Sequence, residues 1–262
     1  MSEVLIVSRD ARGVATLRLN RPAARNALDP HLTDRLHSSV QALAADRSLR
    51  AAVLTGAGGA FCAGGDIKSM RSALAGDRAS RLARSRGFAN LLAALRALPV
   101  PVIACVNGPA YGGGVGLVAV ADIALAAETA EFGLSEPRVG IAPATISPYV
   151  LERVGPAAAR RLFLTARRFD AAEGLRVGLY HRVVPGAALD AAVEDDVAAI
   201  LKCSPTALAA CKRLVAEVPR LTATEATEHT ARALADLWET DDAREGIAAF
   251  AEKRTPRWAR GA

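Results

Sequence analysis

The run Val102-Ile103-Ala104-Cys105-Val106-Asn107-Gly108-Pro109-Ala110-Tyr111-Gly112-Gly113-Gly114-Val115-Gly116-Leu117 decides how the chain is read. An apolar, β-prone stretch from Val102 to Val106 meets a turn signal at Asn107-Gly108-Pro109. Three glycines then lead into a second apolar run, Val115 to Ala121, and the pattern predicts strand, turn and buried helix. Glycines at a helix start each weaken it by several tenths of a kcal/mol, so something other than helix stability favours them. Without Cβ atoms the first-turn N–H groups are bare donors, and the helix dipole adds positive potential. Such an end can hold a phosphate or the oxygen that turns negative in an enolate. A hinge or a tight helix contact would explain an isolated Gly-Gly-Gly equally well, so the rest of the chain must decide.

At 262 residues the chain has room for one large domain or two small ones and a sizeable core. Hydrophobic residues make up 51% of it but aromatic ones only 4%, and the abundant Ala suits tightly packed helices in an α/β protein. No apolar run approaches the roughly 18 residues of a membrane span, so no membrane partner is expected. Met1-Ser2-Glu3-Val4-Leu5-Ile6-Val7 lacks the charged start and long apolar core of a signal peptide, and a cytoplasmic location is expected. Cys62, Cys105, Cys203 and Cys211 show no CxxC spacing and no close His pair accompanies them; they read as small buried residues, and no metal is expected. His31, His37, His181 and His229 lack ligand spacing and read as surface or packing residues. The net charge of +6 comes from scattered arginines without aromatic stacking partners, which favours an anionic small molecule bearing phosphates over nucleic acid.

In chain order, Val4–Val7 and Val14–Asn20 flank Asp10-Ala11-Arg12-Gly13 and predict a hairpin. Asp29-Pro30 opens a helix with Leu32, Leu36, Val40 and Leu43 on one face. Ala51–Thr55 reads as a buried strand, and Phe61-Cys62-Ala63-Gly64-Gly65-Asp66-Ile67-Lys68 is a second glycine-rich strand-to-helix junction, which suggests two facing donor sites. Ser80–Leu98 predicts a basic amphipathic helix burying Leu82, Leu92 and Leu95. Asp122–Ala126 and Val183-Val184 read as strands, while Glu131 to Pro137 is turn-rich and sets Glu136 just before a proline. Helices are predicted at 149–154, 156–165 and 170–177, then at 189–202, 205–217, 223–238 and 241–253, giving an α/β body with an all-helical C-terminal arm.

Arg21-Pro22 with Asn26-Ala27-Leu28, Phe61 through Ile67, Asn107-Gly108 through Gly112-Gly113-Gly114, Asp122-Ile123, Phe132-Gly133, Glu136, Gly140 and Pro143 resemble the enoyl-CoA hydratase/isomerase (crotonase) family in order and spacing. The ending, Glu245 to Arg254, is similar to that family's last helix. The resemblance implies a crotonase-like spiral of β-β-α turns over residues 1–200 and a helical trimerisation region over 201–262, assembled as a homotrimer or homohexamer. It implies an acyl-CoA partner, with coenzyme A as part of the substrate and no separate cofactor. Carried over, the N–H groups of Ala63 and Gly113 would form the oxyanion hole, and Glu136 would move the proton. Ala63, Gly64, Gly65, Asp66 and Ile67 would line the adenine pocket, Arg25 would lie near the CoA phosphates, and Phe250 and Lys253 would reach CoA from the last helix, in one subunit or from a neighbour. Asp66 is equally a helix N-cap.

The sequence departs from a two-glutamate hydratase at Gly116, where the other catalytic carboxylate would stand. Glycine there, with the segment Gly140 to Val150, resembles hydratases of methylglutaconyl-type or isoprenoid glutaconyl-CoA esters, with Gly116 as added pocket space and Arg138 as a counter-charge. The expected reaction is hydration of a 2-enoyl-CoA; the closest competitor is 3,2-enoyl-CoA isomerisation by a single glutamate. Gly114-Val115-Gly116-Leu117-Val118-Ala119 also spells a dinucleotide-binding G-x-G-x-x-A, but the strand ends several residues too early. A scaffold that holds acyl-CoA without turnover is the non-enzyme alternative.

Overall fold

The computed structural model describes residues 3–259. Strands β1 (Leu5–Arg9) and β2 (Val14–Leu19) form the predicted hairpin, with Leu5 opposite Leu19. The Asp10 carboxylate closes the turn by accepting from the N–H groups of Arg12 and Val14. Helix α1 (Pro30–Ala45) starts at Asp29, which accepts from the Leu32 N–H at 2.8 Å, and buries the expected Leu32, Leu36, Val40 and Leu43. Strand β3 (Ala51–Gly56), helices α2 (Ile67–Ala75) and α3 (Arg78–Ala97) and strand β4 (Val102–Val106) follow. Helix α3 begins two residues before the expected start because Asp77 caps it, and Leu82 is partly exposed rather than buried.

Beyond β4 come the two-residue strand β5 (Ala110–Tyr111), helix α4 (Gly113–Val120), and strands β6 (Ile123–Ala127) and β7 (Glu131–Gly133). Helix α5 (Ser147–Thr165) joins the two helices predicted there, with non-helical backbone at Gly155 before Pro156. Strand β8 (Arg168–Asp170), helix α6 (Ala171–Arg176), strand β9 (Arg182–Val184) and helix α7 (Leu189–Leu201) complete the body.

The large sheet runs β1-β2-β3-β4-β6-β9 and is parallel from β2 onward. Its central strands are continuously apolar because both faces are covered. Alternate residues serve the two sides: Ala52, Leu54, Ala104 and Val106 meet α1, α3 and α4, whereas Val53, Ile103, Cys105 and Leu125 meet Leu189, Val193, Val197 and Ile200 of α7. A small second sheet, β5-β7-β8, extends through single bridges pairing Cys62 with Ala110 and Leu28 with Gly65. Each turn of chain therefore crosses the large sheet, touches the small one and returns by a helix, which is the spiral of β-β-α turns. Strands β5, β7 and β8 carry no run long enough to signal a strand in sequence.

Helices α8 (Pro205–Glu217), α9 (Ala223–Trp238) and α10 (Asp241–Ala251) form the arm. Lys212 fastens it to the body, donating to Asp122 Oδ2 at 2.7 Å and to the Val100 carbonyl at 3.0 Å. The arm buries little of its own: Ala210 in α8, Ala249 in α10 and nothing in α9, while Leu234, Trp238, Ile247 and Phe250 are exposed. Cys62 and Cys105 are buried as expected, but Cys203 and Cys211 are exposed because they lie on this thinly covered side. None of the described helices is long and apolar enough to cross a membrane.

Leu36 of α1 is wholly buried in the core. Leu36→Ala is expected to lower the unfolding free energy by about 2–5 kcal/mol through lost burial and a residual cavity, measured by urea denaturation.

Candidate active site

The first junction is held by the loop before α1. Asn26, fully buried, accepts from the Arg21 N–H through Oδ1 and donates through Nδ2 to the carbonyls of Ala57 and Ala60, tying residues 21–26 to 57–60. The Ala63 N–H donates to the Arg25 carbonyl at 2.9 Å. The Leu28 N–H donates to the Gly64 carbonyl at 2.7 Å, and the Asp66 N–H returns to the Leu28 carbonyl at 3.0 Å. In a bridge of this pattern the bridging residue's own N–H points to the other side, so that of Gly65 faces away from Leu28. Gly64 takes a left-handed backbone (φ 86°) that turns the chain between Ala63 and Gly65, and its N–H is bonded by the Cys62 thiol.

This corrects the expectation for Ala63. Its N–H is committed to Arg25, and the bare donor of this junction is Gly65, two residues on.

The second junction runs from β4 through β5 to Gly112, also left-handed (φ 49°), whose N–H donates to the Gly133 carbonyl at 2.9 Å. The first bond within α4 is Gly116 N–H to the Gly112 carbonyl, so the N–H groups of Gly113 to Val115 have no partner in the helix. A Cβ on Gly64 would stand 2.7 Å from the Tyr111 carbonyl oxygen and 3.6 Å from the Gly112 Cα. The two junctions thus lie against each other.

Glu136 opens a 3-10 turn after β7 and turns its carboxyl onto Gly112, where a Cβ would be 2.8 Å from Oε1. Oε2 is buried without a hydrogen-bond partner. Burial pushes the carboxyl above its usual pKa, and only the residue's own backbone N–H opposes that. The surroundings are apolar: Leu28 and Phe88 close on Gly113, and Met70 on Gly65. A base and two hydrogen-bond donors in an apolar wall can move a proton next to a carbonyl whose oxygen becomes negative.

A family model for enoyl-CoA hydratase/isomerase matches residues 9–261. The chain belongs to the enoyl-CoA hydratase/isomerase family. The 2,3-dehydroadipyl-CoA hydratase of Escherichia coli is 36% identical over 98% of both chains. Among solved structures, an enoyl-CoA hydratase from Shewanella pealeana is 34% identical, with a TM-score of 0.94 over 98% of this chain and 96% of that one. Pseudomonas aeruginosa AtuE is 42% identical, with a TM-score of 0.93 over 98% of this chain and all of that one. This family member is an enzyme of the enoyl-CoA hydratase type, a lyase.

Gly116 needs a second correction. It lies buried in α4, and a Cβ there would collide with Cγ2 of Ile146 and stand 3.0 Å from its Cβ. The position of the second carboxylate is therefore filled by isoleucine and offers no pocket space. Asp66 acts as the N-cap of α2, accepting from the Ser69 N–H at 2.9 Å, and pairs with Arg21 at 3.2 Å. Arg25 is exposed at the start of the loop leading to Asn26, while Ile67 is 75% exposed on the first turn of α2. Phe250 is 88% exposed at the end of α10, and Lys253 is exposed just beyond. Sequence reasoning missed Phe88, Met70 and Ile146 as wall residues, because nothing but tertiary packing brings them to the glycines.

Two outcomes follow from this packing. Gly116→Ala is expected to cost about 1–3 kcal/mol of stability by overpacking. Combining it with Ile146→Ala should cost less than the sum of the single changes, with a coupling of about 0.5–3 kcal/mol in a denaturation cycle. For Glu136 the raised pKa means that ionisation opposes folding, so its contribution is best below the ordinary value of 4.5 and is lost as pH rises through the folded value. Glu136→Gln should therefore raise Tm at neutral pH, and this gain should vanish below pH 4.5.

Proposed function

We propose that the protein adds water across the 2,3-double bond of a 2-enoyl-CoA thioester with an uncharged acyl chain. The observation that carries this reading is the buried, unpartnered Oε2 of Glu136 beside a pair of bare backbone donors. The thioester oxygen accepts hydrogen bonds from the N–H groups of Gly65 and Gly113. Glu136, ionised, takes a proton from water as the water oxygen bonds to C3. The electron pair of the double bond moves to C2 and the thioester, and the enolate oxygen is stabilised by both donors. Protonated Glu136 then returns its proton to C2, which regenerates the carboxylate. Its raised pKa suits both halves of this exchange.

Coenzyme A lies, in this proposal, along the first junction, with Ala63 to Ile67 against the adenine and Arg25 toward the phosphates. Phe250 and Lys253 reach it from a neighbouring subunit of a trimer built on α8 to α10; the exposed Leu234, Trp238 and Ile247 support such an assembly. A methylglutaconyl-type ester, which carries a distal carboxylate, is the competing substrate. It depends on space at Gly116, which Ile146 occupies, and the apolar wall supports a hydrocarbon chain instead. Isomerisation of a 3-enoyl-CoA is the second reading, favoured by one observation: residue 116 is glycine, with Ile146 beside it, so no second carboxylate stands there.

Incubation with crotonyl-CoA and with a 3-enoyl-CoA, followed by product identification, separates these readings. The expected product is 3-hydroxyacyl-CoA, formed from crotonyl-CoA with a higher kcat/KM than from a glutaconyl-CoA ester. Glu136→Gln should lose about 10²–10⁴-fold in kcat with little change in acyl-CoA affinity. Near-normal turnover by that variant would discard the assignment, and exclusive formation of 2-enoyl-CoA from the 3-enoyl ester would establish the isomerase.

A further inference from the structure

We infer that Arg21 is a positioning residue for the oxyanion hole, acting through the segment that carries Gly65; the inference rests on Gly65 being one of the two donors. The Arg21 guanidinium reaches three points at once. It donates to the Ala27 carbonyl, pairs with Asp29 Oδ2 at 3.0 Å and pairs with Asp66 Oδ2 at 3.2 Å. Both acids are N-caps: Asp29 Oδ1 holds the Leu32 N–H of α1, and Asp66 Oδ1 holds the Ser69 N–H of α2. One guanidinium nitrogen serves both carboxylates, so the two helix starts converge on a single cation, and all three side chains are largely shielded from water.

Between these caps lies the bridge that orients Gly65. Leu28 immediately precedes Asp29, and Gly65 immediately precedes Asp66. The direction of the Gly65 N–H is set by the bonds of Leu28 to Gly64 and of Asp66 to Leu28. Removing the cation would leave two ionised carboxylates facing each other within reach of one vanished nitrogen, and their repulsion would act directly on the two ends of that bridge. Arg21 itself is fixed from behind, its N–H bonded to Asn26 Oδ1 and its carbonyl accepting from the Asn26 N–H. Its planar fork meets three acceptors, which lysine cannot do.

The test uses the full-length enzyme and a chromophoric enoyl-CoA, cinnamoyl-CoA, whose absorption moves to longer wavelength when its thioester oxygen accepts hydrogen bonds. Arg21→Gln should keep binding of the probe within a few-fold, shrink its red shift and lower kcat by roughly tenfold to hundredfold through donor misplacement. Arg21→Lys should recover part of both. Arg21→Gln with Asp66→Asn removes the like-charge repulsion while keeping an N-cap, and should fold even where the single variant does not, with the red shift partly restored. A full red shift and normal kcat in Arg21→Gln overturn the inference. So does failure of both Arg21→Gln and the double variant to fold, which would make Arg21 a folding residue alone. Absence of any red shift on the wild type would instead overturn the donor pair itself.

Discussion

The structure depends on one close approach. Gly64 lies so close to the Tyr111 carbonyl that a Cβ would stand 2.7 Å from its oxygen. That contact fixes how the first strand-to-helix junction meets the second: β3 leads to the first junction and β4 to the second, in neighbouring parallel strands. The isolated bridge between Cys62 and Ala110 then locks the crossing at the level of the small sheet. Glycine at helix starts is poor for local stability, and here the deficit is offset by tertiary pairing on both sides of the junction.

Glu136 depends on the same contact from the other side. Its carboxyl lies on Gly112, and the strand just before its turn, β7, is fastened to β5 and to the Gly112 N–H through Gly133. A buried acceptor without a partner ordinarily costs about 1–3 kcal/mol. Such a cost persists where the unpaired atom has work to do, and a substrate-bound water or carbon acid would supply the missing partner. In the proposed reaction the backbone donors, fixed by main-chain bonding, and Glu136, held on a short turn, need not reorganise as charge develops.

Much of this was legible in the sequence. The two glycine-rich junctions, the hairpin, the α1 core face, and the ranges of α8 and α9 were all readable from periodicity, caps and breakers. The resemblance supplied the spiral. What could not be read was whatever depends on register or on distant packing. Ala63 is not a bare donor, because the N–H directions at this junction are set by pairing with Arg25 and Leu28 and by the left-handed Gly64. Strands of two or three residues, such as β5 and β8, exist only because neighbours pair with them. Gly116 looked like free space because Ile146, thirty residues later, carries no local mark of its destination.

Ile146 also explains why a single acid is a coherent solution. Two carboxylates facing one another in an apolar wall raise one another's pKa and need water or donors to be tolerated. Isoleucine fills the space beside Gly116 with hydrocarbon, and the Glu136 carboxyl is raised by burial, opposed only by its own backbone N–H. A group shifted only by desolvation changes its protonation state when the site's hydration changes, without waiting on a neighbouring acid. In the proposed reaction, closing the wall with an acyl chain would dry the site further and favour the protonated form of Glu136. In the proposed reaction the apolar plug and the lone carboxylate are two parts of one arrangement, in which a bound acyl group would add to the burial that already raises the Glu136 pKa.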